Sequence, residues 1–205
     1  MPSLATCLVS FAALTATAAA TRANIYTFAQ GGCTGNAALF FDIKPNVCAL
    51  TIYAKTNETL STKDAIAQGK TTVGSGKLVV KATGDKVNEF VAWGAGPKSN
   101  DDGLLQCGSP IKVQPLSGYK SECLSLPAHG FTWQESDKSG PKRGRRAEAP
   151  VCTGSKDPNA VRVGPEHYKI EGIPQGDAAE LLALMSSGAS SVPARLNKYT
   201  FTPNL

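Results

Sequence analysis

The run KLVVKATGDKVNEFVAW, residues 77–93, has the composition of two β-strands and a turn, and it sets the fold class expected for the whole chain. Lys77 to Ala82 and Lys86 to Trp93 are rich in β-branched and aromatic residues. Thr83-Gly84-Asp85 between them has the length and the glycine of a hairpin connection. An earlier strand at Lys70 to Val73 joins through Gly74-Ser75-Gly76 to give a meander. Further upstream, Asn24 to Phe28 alternates and stops at Gly31-Gly32, Ala37 to Ile43 reads as its partner, and Asn46 to Ala54 as a third strand. Downstream, short runs at Leu104 to Cys107, Ile111 to Gln114, Tyr119 to Leu126 and Gly130 to Gln134 repeat the rhythm. With 20 Gly and 13 Pro in 205 residues, turns dominate over long helices. The expectation is a mainly β, single-domain antiparallel sandwich or barrel, disulfide-bonded, with one or two short helices.

The ends of the chain read differently. Leu4 to Ala20 is an apolar run followed by small residues through Ala23, the layout of a signal peptide (residues 1–23), and no later run reaches the roughly 20 apolar residues of a membrane-spanning helix. The chain therefore reads as secreted and extracellular, with a β-rich core at 24–134. Residues 135–150 have almost nothing apolar to bury and form an expected exposed basic linker. The segment 151–205 should pack on the core, with a strand at Glu166 to Ile170, a helix at Ala178 to Ser187 capped by Asp177 and closed by Gly188, and a closing strand at Arg195 to Thr202. A short helix at Ser61 to Gln68 is also expected. The formal charge is +5, much of it local to the linker. No aromatic residue separates those basic residues, so base stacking and nucleic-acid binding are not expected.

Removal of the leader takes Cys7 and leaves Cys33, Cys48, Cys107, Cys123 and Cys152, an odd number. Two disulfides and one unpaired thiol follow for an oxidising compartment. Proximity in sequence pairs Cys33 with Cys48 and Cys107 with Cys123, each closing a loop of about 15 residues at about 3 kcal/mol. The rival arrangement joins Cys107 or Cys123 to Cys152, whereas the first leaves Cys152 free. The chain has no CxxC and no Cys/His cluster with zinc spacing, so no metal is expected.

The sharpest motif is Lys142-Arg143-Gly144-Arg145-Arg146, two basic pairs in the linker. It resembles the sites cut by kexin-type processing proteases of the fungal secretory pathway. Ala147-Glu148-Ala149-Pro150 resembles the dipeptide spacers trimmed after such cuts. The resemblance implies processing at Lys142, Arg143, Arg145 and Arg146. Asn57-Glu58-Thr59 is an N-glycosylation acceptor. Phe28 and Gly35 within Tyr26 to Ala54 resemble the opening of a βγ-crystallin Greek-key motif. The layout as a whole is similar to that of fungal small secreted proteins of the effector or toxin-like class, a likeness that implies a virulence role.

Catalysis finds no anchor. His129 and His167 are the only histidines, there is no GxSxG or HExxH, and Asp101-Asp102 lie in a glycine-rich turn. No cofactor is expected. The leading expectation is a non-enzymatic binding protein, monomeric, acting on an extracellular or host target that is a protein or a carbohydrate, with Trp93 and Trp133 as surface anchors to test. The alternatives are a secreted hydrolase built on carboxylates and a proprotein cut in the linker into two pieces.

Overall fold

The computed structural model describes residues 23–50, 72–80, 87–94, 107–116, 121–136 and 150–203. The described strands are β1 (Ala23–Phe28), β2 (Ala37–Ile43), β3 (Val47–Leu50), β4 (Ser75–Val80), β5 (Val87–Trp93), β6 (Pro110–Leu116), β7 (Ser121–Leu124), β8 (Gly130–Ser136), β9 (Gly154–Lys156), β10 (Ala160–Val163), β11 (Glu166–Lys169) and β12 (Thr200–Phe201). They build two open sheets, one of seven strands in the order β12-β11-β10-β2-β1-β4-β7 and one of five in the order β6-β5-β8-β3-β9. The sheets pack face to face as a sandwich, so the barrel alternative falls. Neighbouring strands run antiparallel except β3 and β9, which are parallel.

The interior follows from which side of each strand is apolar. Ile25, Ala38, Phe40, Leu78 and Val161 of the larger sheet meet Ala49, Phe90, Ala92, Phe131 and Trp133 of the smaller one in a single cluster. Trp133 is fully buried there, and its indole N–H donates to the Ile43 carbonyl across the sandwich at 2.9 Å, which satisfies the one polar atom such a ring brings inside. Gly76 lets the sheets approach: a Cβ on it would lie 2.7 Å from the Phe131 ring. Gly74 does the same for the chain itself, because a Cβ there would sit 2.5 Å from the backbone at Gln30.

The expected hairpin at residues 77–93 is not a hairpin. Its two runs are strands, but β4 pairs with β1 and β7 in the larger sheet, while β5 pairs with β6 and β8 in the smaller one. Both runs must bury an apolar face, and a sandwich satisfies that need by placing them in opposite layers. Ser75 and Gly76, expected as a turn, belong to β4, and Val73 forms only an isolated bridge to Ala128.

Residues 150–203 are woven into both sheets rather than packed on a finished core. β9 pairs with β3, and β10 pairs with β2. Helix α1 (Gln175–Ser187) packs Leu181 and Met185 into the main cluster and ends at Gly188 in the left-handed conformation, φ 75°. Asn36 from the β1–β2 turn holds that end, donating to the Met185 and Ala189 carbonyls while accepting from the Gly164 N–H. Asp177 is not the N-cap; the helix starts earlier, after Pro174, and no side chain caps it. Asp177 instead accepts hydrogen bonds from Tyr199 and Arg195, and Arg195 also bonds Glu180. The Tyr199 hydrogen bond, with Lys198 and Arg195 nearby, holds the Asp177 carboxyl below its ordinary range. The expected closing strand at 195–202 is mostly a 3-10 helix, Ala194–Tyr199, with only Thr200 and Phe201 in β12. Pairing with Asp177 and Glu180 on α1 holds Arg195 in that turn.

At the other end, β1 begins at Ala23, which is fully buried and faces Ile43 on one side and Val80 on the other. The residue expected to end the leader is thus part of the sheet.

Candidate functional site

The outward side of the five-stranded sheet carries a small cluster of its own, apart from the main one. On β5, Val91 and Trp93 alternate with the inward-facing Phe90 and Ala92. On β8, Thr132 lies between the inward-facing Phe131 and Trp133, and on β3 Cys48 precedes the inward-facing Ala49. Trp93 is 3% exposed, and its indole N–H donates to Thr132 Oγ1 at 2.8 Å. The two tryptophans are therefore interior residues, one in each cluster, and not surface anchors: each indole is satisfied by a partner inside the protein.

Cys48 is bonded to Cys107, and the bond lies directly over Gly130. A Cβ at that position would come within 2.7 and 2.9 Å of the two sulfurs. The second disulfide joins Cys33, in the β1–β2 turn, to Cys123 on β7. The sequence-proximity pairing of Cys33 with Cys48 and Cys107 with Cys123 is thereby corrected. Cys33 and Cys123 belong to the larger sheet while Cys48 and Cys107 belong to the smaller, so each bond staples one sheet and neither spans the sandwich. Closing 90 and 59 residues of chain, each restricts the unfolded state by roughly 4–5 kcal/mol, more than the short loops would.

Cys152 is free and half-buried. Its Sγ donates to the Gly154 carbonyl at 3.2 Å, and the sulfurs of Cys48, Cys107 and Cys152 all lie within 4.8 Å of one another. Three thiolates at that spacing would suit a metal, but two of these sulfurs are bonded to each other and have no thiolate to offer.

From Cys107, Gly108 and Ser109 lead into β6, the last strand of the sheet. Gly94 fastens this corner, donating to Ser109 O at 2.8 Å and accepting from Gly108 N at 3.1 Å. β6 has residues exposed on both faces, among them Ile111 at 48% and Val113 at 36%, with Lys112 between. Among the described residues these two and Val151, at 53%, are the large hydrophobics most open to solvent. Pro110 and Pro115 have no N–H to donate. Opposite Glu89, Pro115 fits only where its nitrogen points to the open edge, and this thins the donors that an added strand would need. The edge is guarded against strand addition while its aliphatic side chains stay available.

The other expected site residues are dispersed. Asn57 and the basic residues Lys142, Arg143, Arg145 and Arg146 lie outside the described residues. His129 precedes β8 of the smaller sheet, whereas His167 is on β11 of the larger, so the two histidines stand on different sheets. Burial, then the Arg162 charge, lowers the His167 pKa, and burial raises that of Tyr26. From the sequence, Ile111 to Gln114 and Gly130 to Gln134 read as strands, with no site role for Ile111, Val113 or Gly130. The available signal was Pro110 and Pro115 bracketing an aliphatic run, a pattern tolerated only on an edge strand.

No family model, curated protein or solved structure matches the chain.

Proposed function

We infer that this is an exported β-sandwich binding module that docks a protein partner through β6, with Ile111 and Val113 as the contact residues. The observation that carries the reading is an aliphatic pair held open to water on a proline-bracketed edge strand, anchored by a disulfide at its leading end. Aliphatic side chains fit an apolar protein groove. A carbohydrate is matched better by exposed aromatic faces, and both indoles are buried. The disulfides support export, since such bonds persist in oxidising compartments. The leader in this reading is cut before Ala23, for example after Ala20, because Ala23 is paired on both sides in the sheet. An effector-like role and a glycan at Asn57 belong to the same proposal.

The test is saturable binding of fluorescently labelled secreted protein to intact cells of candidate targets, alongside N-terminal sequencing. Binding that weakens at least tenfold in the Ile111→Asp/Val113→Asp variant, with unchanged circular dichroism, supports the reading. Equal binding by that variant refutes the site, and a native protein that keeps Met1 inside the producing cell refutes export.

A further inference from the structure

We propose that Cys48, Cys107 and Cys152 form a thiol–disulfide exchange triad, in which the bond linking the first two can be passed to the third. This inference stands on the sulfur geometry and does not depend on β6 binding anything.

Three observations carry it. The Cys152 sulfur lies within 4.8 Å of both bonded sulfurs, so a displacement of about 3 Å brings it to bonding distance. The sheet itself holds it there: the Thr153 N–H donates to the Asn46 carbonyl at 2.8 Å, and Gly154 and Ser155 stand beside Val47 and Cys48 in the parallel β3–β9 ladder. The other disulfide, Cys33–Cys123, is on the opposite sheet and takes no part.

The chemistry balances within the molecule. The Cys152 thiolate attacks Sγ of Cys107 or Cys48, a new S–S bond forms as the old one breaks, and the expelled sulfur leaves as a thiolate that takes up the proton Cys152 gave to water. There is no net oxidation and no external reagent. The products are isomers with one free thiol each, on Cys48 or on Cys107. The isomers differ in what they tie together. The bond as it stands links β3 to the corner before β6, both on the N-terminal side of the basic pairs at 142–146. Either exchanged bond includes Cys152, on the C-terminal side. A chain cut at those pairs would have its two pieces held by strand pairing, core packing and hydrogen bonds, with no covalent link, before exchange and covalently joined after it.

The experiment uses the full secreted chain, incubated without added thiol at mildly alkaline pH, trapped with N-ethylmaleimide and mapped by non-reducing tryptic digestion. Cys48, Cys107 and Cys152 fall in different tryptic peptides, because Lys55 and Lys112 lie between them. The expected result is maleimide on Cys48 or Cys107 in at least a tenth of the molecules, together with the matching Cys152-linked peptide. That fraction should be independent of protein concentration and absent in Cys152→Ser. Maleimide confined to Cys152, with Cys48–Cys107 as its sole linkage, overturns the proposal; so does a concentration-dependent fraction, which would mean exchange between molecules. A second readout avoids any variant: after a kexin-type protease has cut the incubated protein, the pieces should migrate together on a non-reducing denaturing gel in the exchanged fraction. Complete separation of the pieces would equally overturn it.

Discussion

The two sheets each carry a disulfide, and the bonds have different surroundings. Cys33–Cys123 braces a turn against the edge strand β7, with Cys123 exposed and Cys33 half-exposed. Cys48–Cys107 is buried, at 1% and 5% exposure, with Val91 and Trp93 in its cluster, Gly130 beneath it and a third sulfur at its side. The difference teaches that a cross-link has two separable contributions. One is the chain entropy it removes, which depends on sequence separation; the other is the packing it completes, which depends on place.

The most severe test of that distinction removes each bond as a Ser pair. Chain entropy alone ranks the 90-residue link slightly above the 59-residue one, at roughly 4–5 kcal/mol each. Packing reverses the order, so Cys48→Ser/Cys107→Ser should cost about 1–2 kcal/mol more than Cys33→Ser/Cys123→Ser in denaturant unfolding. Equal losses would erase the contrast. Next in size is Gly130→Ala, whose methyl group collides with both sulfurs. A loss of about 3 kcal/mol or more is expected, and Gly154→Ala, with open space around its Cβ, should lose under about 1 kcal/mol.

A smaller effect sharpens the comparison of the inner and outer clusters. Trp93→Phe leaves Thr132 Oγ1 without its indole donor, and Trp133→Phe does the same to the Ile43 carbonyl. Each should cost about 1–3 kcal/mol, the inner one more because its cavity is enclosed by both sheets. The smallest effect concerns pH and separates the sheets again. The folded state lowers the His167 pKa from 6.5, so the unfolded chain takes up its proton first as pH falls. Stability should therefore be lost on acidification below about 6.5, by less than about 1 kcal/mol for this half-buried ring. Urea midpoints at neutral and mildly acidic pH, compared with His167→Gln, would read it; a variant with unchanged acid sensitivity counts against the assignment.

Much of the strand inventory was legible from the chain alone, since β1, β2, β5, β8 and β11 coincide with alternating or β-branched runs. The helix body from Ala178 to Ser187 and its stop at Gly188 were legible too, through its apolar face and the left-handed conformation that glycine permits, but its start at Gln175 was not. β9 and β10 were missed because Gly154–Lys156 and Ala160–Val163 are short, and their partners β3 and β2 lie over a hundred residues upstream. The closing strand failed because Arg195 is held by two carboxylates on α1. Of the candidate site, the five cysteines beyond residue 23 pointed to one without a partner but not to its neighbours.

Local patterning, then, was enough to establish β-strands and turns, because side-chain period and glycine content act over a few residues. The layer each strand joins, the partner each cysteine takes and the burial of both indoles were decided only when distant segments met. Sheet pairing and sulfur bonding need atoms brought within a few ångströms, and cysteines separated by 90 or 59 positions in sequence carry no record of that distance.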